Sequence, residues 1–156
     1  VSRMKMPACV AVAADMAGPH TPLAAGVMFD AVLVDAPCTG TGVIRRHPEL
    51  RYRLTLSDLD RQVETQARLL ERCAGLVKPG GTMVYAVCSL EPEEGIEQVR
   101  RFLARHDGFE VADPTPYLPP PARGLVTRRE SWPFLETLPH RDDLDGFFAA
   151  RMERHQ

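Results

Sequence analysis

The chain has 156 residues, enough for one domain with a real core and too few for two comfortable ones. Hydrophobic residues make up 44% and charged residues 26%, an ordinary globular balance, and a net charge of −2 gives no global basic field that would advertise nucleic acid. No stretch approaches the roughly 20 apolar residues of a membrane span and no signal-peptide pattern opens the sequence, so the cytoplasm is the expected compartment.

The first thirty residues are the least patterned: Val10–Ala14 is a candidate strand ending at Asp15, followed by a loop rich in Gly and Pro. The run Ala31-Val32-Leu33-Val34 is short, partly β-branched and bounded by Asp35, Ala36 and Pro37, which is the pattern of a fully buried strand. Beyond it, Arg45, Arg46, Arg51 and Arg53 cluster around His47. Such a cluster is either a solvated loop or a grip for phosphates, which guanidinium groups pair with bidentately.

A helix is predicted next, with Ser57 as N-cap, Leu59, Val63, Ala67, Leu70 and Ala74 along one face, and Gly75 as the stop. The turn Lys78-Pro79-Gly80-Gly81 then leads into a second buried strand, Met83–Val87, ending at Cys88. Strand, helix and strand make a right-handed βαβ unit, so the two strands are expected to be parallel and to end on the same rim. A further helix is expected from Pro92, with Glu93 and Glu94 at the positive end of its dipole and Ile96, Val99 and Leu103 facing inward. Phe109–Val111 reads as a short strand and Gly146–Met152 as a final one. Proline-rich Pro114–Pro139 reads as an irregular surface loop pinned by Trp132 and Phe134.

The four cysteines, Cys9, Cys38, Cys73 and Cys88, show no C-x-x-C pair, which argues against a zinc site and against a disulfide framework. Two of them have a different interest. Ligands in open α/β sheets bind outside the C-terminal strand ends. Asp35 and Cys38 follow the first strand and Cys88 follows the second. Neighbouring strands lie about 4.8 Å apart, so both thiols would reach one small planar ligand. A single free cysteine is most often a small buried hydrophobe; two at matched rim positions, one with an acid three residues before it, favour a site.

The words Asp35-Ala36-Pro37-Cys38-Thr39-Gly40-Thr41-Gly42 and Tyr85-Ala86-Val87-Cys88-Ser89-Leu90-Glu91-Pro92-Glu93-Glu94 resemble signatures of the Sun/Fmu family of RNA cytosine-5 methyltransferases. Lys78-Pro79-Gly80-Gly81 and Asp145-Gly146-Phe147-Phe148-Ala149 add to the resemblance, and Gly42-Val43-Ile44-Arg45-Arg46-His47-Pro48 is similar to the bacterial ribosomal-RNA branch. The resemblance covers most of residues 29–152. It implies an α/β fold: a Rossmann-like, S-adenosylmethionine-dependent methyltransferase sheet with flanking helices.

The chemistry accounts for the residue types. Carbon 5 of cytosine is a poor nucleophile until something adds to carbon 6, and a thiolate both adds and leaves well. The resemblance implies that Cys88 makes that attack and that Cys38 is implicated in the release that follows loss of the carbon-5 proton. Asp35 matches an acid beside cofactor and base, and Asp15 the acid near the adenine end of S-adenosylmethionine. Arg45 and Arg46 are the candidate contacts to RNA. No metal ligand set is expected.

Val87 stands where the family commonly has Thr, and Gly95 and Ile96 follow Glu94 where Asn is often found. Neither removes a reacting atom. The family's glycine-rich cofactor loop has no counterpart before Asp15, so the sequence reads as N-terminally truncated, with residues 1–28 a remnant of the N-terminal half of the catalytic domain and residues 29–156 its C-terminal half. The piece alone is then expected to be inactive and to bind cofactor poorly. The strand at residues 31–35 is expected to expose an edge, open to Val10–Ala14 or to a second copy, with self-association favoured. Three rival readings stand beside this one: a DNA cytosine-5 methyltransferase, whose nucleophile would be Cys38; a Rossmann nucleotide-binding domain suggested by Gly40-Thr41-Gly42, which lacks the third glycine; and an inactive RNA-binding or interaction module.

Overall fold

The computed structural model of the chain describes residues 12–18, 23 and 26–156. One six-stranded sheet organises them. Strands β1 (Phe29–Asp35) and β2 (Val77–Val87) are parallel, and β6 (Phe147–Arg154) runs antiparallel to β2 on its other side. β5 (Trp132–Thr137) and β4 (Val126–Arg129) continue the sheet beyond β6, and the short β3 (Phe109–Val111) also pairs with β6. Helices α2 (Leu56–Ala74) and α3 (Ile96–Leu103) are the long ones, and α1 (Leu50–Arg53) and α4 (Pro139–Asp142) are single turns. The mixed α/β architecture and the parallel β1–β2 pair agree with the sequence-based expectation.

The core lies between the sheet and the two long helices. Val34 of β1, Met83, Tyr85 and Val87 of β2, and Ala150 and Met152 of β6 meet Leu70 and Cys73 of α2 and Val99 and Phe102 of α3. The alternation of side chains along a strand sends every second residue of β2 into this layer. On α2 the fully buried positions are Gln66, Leu70, Cys73 and Ala74, so the inward face is centred on Gln66 and Leu70 and the predicted Leu59, Val63 and Ala67 lie at its half-buried margin. No helix among the described residues is long and apolar enough to cross a membrane.

Several boundaries differ from expectation. Thr55, not Ser57, caps α2: its Oγ1 accepts the Asp58 N–H at 3.3 Å while its own N–H donates to Asp58 Oδ2 at 2.9 Å, a reciprocal box. Lys78–Gly81 is not a turn before β2 but an irregularity within it, since Phe29 pairs with Val77 whereas Ala31 pairs with Thr82. Pro92 opens a turn, and α3 itself starts only after Gly95. The segment Pro114–Pro139 is largely ordered, with 3-10 turns at Thr115–Tyr117 and Pro120–Leu125 followed by the β4–β5 hairpin. Phe134 is nonetheless buried and Trp132 packs on the core, as expected. Of the candidate strand Val10–Ala14, residues 10 and 11 lie outside the described residues, and residues 12–14 form no strand.

Candidate active site

Because β1 and β2 are parallel and β6 is antiparallel to β2, the ends of β1 and β2 and the start of β6 share one rim. Three loops meet there: Ala36–Gly42, Cys88–Gly95 and Asp143–Gly146. The ladder runs one step past β1, with Ala36 N–H donating to Ala86 O at 2.9 Å, and this delivers Cys38 beside Cys88. Their sulfurs are 3.4 Å apart, and both are half-buried. The two candidate catalytic residues are therefore brought together.

Close backbone approach holds the loops. Gly42 N–H donates to Cys88 O at 3.1 Å, and Gly146 N–H to Gly42 O at 2.8 Å. A Cβ on Gly42 would lie 2.1 Å from Gly146 O and 2.9 Å from Cys88 O, so only glycine fits. Gly40, at φ +73°, turns the chain just before this contact.

Sequence reasoning missed the buried polar cluster beneath the thiols. Glu94 is fully buried; its Oε1 accepts the Thr39 N–H and Gln66 Nε2, both at 2.9 Å, and its Oε2 accepts the hydroxyls of Thr39 and Ser89. Gln66 Nε2 also donates to Pro37 O at 2.9 Å. A signal was available: each thiol is followed directly by a hydroxyl residue, Cys38 by Thr39 and Cys88 by Ser89.

The Cys38 thiol is pushed up to about 12, first by burial, then by the hydrogen bond and negative charge shared with Cys88, and by the nearby Glu94 carboxylate. The Gly40 N–H pulls in the opposite direction. At neutral pH Cys38 therefore holds its proton, which it can share with Cys88.

The other predicted residues are placed unevenly. Asp35 ends β1, is exposed, and has neither ion pair nor side-chain hydrogen bond among the described residues. Asp15 is exposed and accepts the Ala17 N–H at 3.0 Å; no hydrogen bond joins it to Asp35 or to the thiol loops among the described residues. Arg45 and Arg46 reach the rim, but both guanidinium groups are paired with Asp145, Arg45 at 2.7 Å and also with Asp143 at 3.5 Å.

The family described as 16S rRNA methyltransferase RsmB/F matches residues 1–153. A relative named ribosomal RNA small subunit methyltransferase B from Thermus thermophilus is 46% identical over 123 residues, 79% of this chain and 29% of its own length. A protein of the same name from Serratia proteamaculans is 43% identical, over 80% of this chain and 26% of its own length. Among solved structures, that of PH0851 superposes with a TM-score of 0.70 at 38% identity, covering 80% of this chain and 26% of that one. The structure of NSun6 from Pyrococcus horikoshii with SFG gives 0.68 at 25% identity, covering 84% and 31%. The chain thus spans between about a quarter and a third of the length of these relatives.

Proposed function

The chain belongs to the RsmB/F family of 16S rRNA methyltransferases, and from that premise we propose that the protein methylates carbon 5 of a cytosine in ribosomal RNA through a covalent cysteine adduct. The observation that carries this reading is the 3.4 Å approach of Cys38 and Cys88 at the rim where parallel strands end. Two thiols in contact, unlinked and half-buried where loops meet, suit a reaction that needs one sulfur to attack and another group to manage a proton.

In this reading Cys88, as thiolate, adds to carbon 6 of the base, and the electron pair passes to carbon 5. S-adenosylmethionine, when bound, supplies the methyl group that carbon 5 takes. Loss of the carbon-5 proton then restores the ring and expels Cys88. Two of the causes that raise Cys38, the hydrogen bond and the charge of Cys88, disappear once Cys88 is bonded to carbon. Cys38 therefore gives up its own proton more readily after the adduct forms than before, and the thiolate left behind can take the carbon-5 proton in the release step.

The residues present fit a cofactor beside β1. Asp35 offers a carboxylate at the strand end with no partner among the described residues, and the neighbour solved with SFG, an S-adenosylmethionine analogue, has the same fold in this region. Asp35 is the first candidate to hold the cofactor, and Asp15 the second. Arg45 and Arg46 are the proposed contacts to the RNA backbone, and residues 29–156 are read as the C-terminal half of the catalytic domain, residues 1–28 belonging to its N-terminal half. Bisulfite mapping of ribosomal RNA from cells with and without the gene tests the reaction. One protected cytosine that disappears with the gene supports it, and an unchanged map contradicts it.

A further inference from the structure

We propose that Glu94 is a positioning residue that sets the spacing of the Cys38 and Cys88 sulfurs. This deepens the reading of the two thiols as a reacting pair and rests on it, but its test does not.

Glu94 has no exposed surface and no ion pair among the described residues. A carboxylate in such a place is costly unless fully hydrogen-bonded, and an apolar side chain would fill the same volume more cheaply. What it gains is connection. Thr39 directly follows Cys38 and donates twice, from its N–H at 2.9 Å and its hydroxyl at 2.5 Å. Ser89 directly follows Cys88 and donates its hydroxyl to the same oxygen. One side chain thus holds the neighbours of both thiols.

The clamp has a second arm. Gln66, fully buried on α2, splits its amide between Glu94 Oε1 and Pro37 O, so Cys38 is held from the residue before it and the residue after it. Gln98 of α3 fixes Gln66 in turn, donating to its Oε1 at 3.3 Å and to Val63 O at 2.7 Å. Glu94 is itself anchored where its carbonyl accepts the Tyr85 hydroxyl at 2.6 Å. The chain of contacts runs from both long helices through one carboxylate to both cysteine loops. A satisfied buried network of this kind specifies one geometry.

Phenylarsine oxide reads that geometry directly. Its arsenic forms two As–S bonds with two adjacent thiols, the oxygen leaves with their two protons as water, and nothing is oxidised or reduced. The wild-type chain is expected to take up one equivalent at Cys38 and Cys88, located by peptide mapping. Glu94→Ala leaves the Thr39 N–H and the Gln66 amide without their acceptor, and is expected to weaken uptake roughly tenfold or more. Glu94→Gln should restore most of it, because its oxygen still serves those two donors and its amide can donate to the two hydroxyls. Should Glu94→Ala fail to fold by circular dichroism, the Thr39→Val, Ser89→Ala double variant cuts the same link and should show the same loss.

Wild-type affinity in a folded Glu94→Ala or double variant would overturn the proposal. So would a wild-type protein that takes up no arsenical at this pair, or a Glu94→Gln variant no better than Glu94→Ala. The expected arsenical pattern in a protein that never forms an adduct on RNA would keep Glu94 in this role and remove the methylation reading.

Discussion

The sulfurs of Cys38 and Cys88 lie 3.4 Å apart although fifty residues separate them, and the contact adds to burial in raising the Cys38 thiol. Cys38 is raised from 9.0 to about 12. Its folded value lies above its unfolded value, so the contribution to stability is fully present below pH 9.0 and is lost as pH rises toward 12. Urea midpoints measured from pH 8 upward should fall more steeply for the wild type than for Cys38→Ser. In Cys88→Ala the hydrogen bond and charge of the partner are gone, so iodoacetamide should alkylate Cys38 at lower pH than in the wild type. Identical alkylation profiles would show that the thiols do not interact.

Gly42 is expected to be intolerant of any side chain. An alanine Cβ there meets Gly146 O and Cys88 O, both backbone and unable to turn aside. Gly42→Ala should destabilise the chain by about 1–3 kcal/mol, as overpacked sites do, and should separate the two cysteine loops. Urea denaturation gives the first quantity. A loss below about 0.5 kcal/mol, the range of ordinary surface changes, would mean that the loops are not packed as described.

The two candidate RNA-contacting arginines share a competitor. Asp145 pairs with both, and its carboxyl is held below the usual carboxylate range, first by the Arg45 hydrogen bond and then, against its desolvation, by the charges of Arg46 and Arg45. Asp145→Asn should free the Arg46 guanidinium, leave Arg45 held by Asp143 alone, and tighten RNA binding. Arg46→Ala should cost more affinity than Arg45→Ala, because Arg45 is also tied to Asp143. Each lost phosphate contact should reduce the salt slope by about 0.7 for a single strand. The tether has its own pH signature. A depressed carboxylate contributes stability above its unfolded value of 3.8 and loses it as pH falls through the lower folded value. Acid unfolding should therefore be steeper for the wild type than for Asp145→Asn, measured by circular dichroism.

Strand β1 is a sheet edge, paired only with β2 among the described residues, and Leu33 on it is 70% exposed. A seven-residue edge with five apolar residues invites another strand. Self-association of the chain is the expected outcome, with light scattering rising toward a dimer across a concentration series. Replacing Leu33 with Lys should reduce it. A strictly monomeric chain with residues 10–14 protected from hydrogen exchange would instead place that segment beside β1.

Much of the site could be read from the sequence because short apolar runs ending in Asp35 and Cys88 have few other interpretations. The order β1, α2, β2 followed from them, and the thiol pair followed from matched strand ends. The β4–β5 hairpin was hidden for a physical reason. Its two-residue turn is Glu130-Ser131, both at positive φ, where glycine or asparagine would have announced it. Pro133 also spoke against a strand, yet it sits where β5 pairs with β4 alone, Leu135 to Thr137 being the residues that meet β6. Glu94 was misread for a different reason. Its charge suggested a residue at the positive end of a helix dipole, and only the tertiary fold shows that four donors converge on it.

The central claim, that Cys88 attacks and Cys38 assists release, is tested most directly by trapping the adduct. The protein is incubated with S-adenosylmethionine and RNA carrying 5-fluorocytosine, whose fluorine blocks the final elimination, and denaturing electrophoresis then reports covalent RNA. The account predicts an adduct in the wild type, none in Cys88→Ala, and in Cys38→Ala a covalent complex that builds up even on ordinary RNA. An adduct that survives Cys88→Ala and vanishes with Cys38→Ala would contradict it and reverse the two roles.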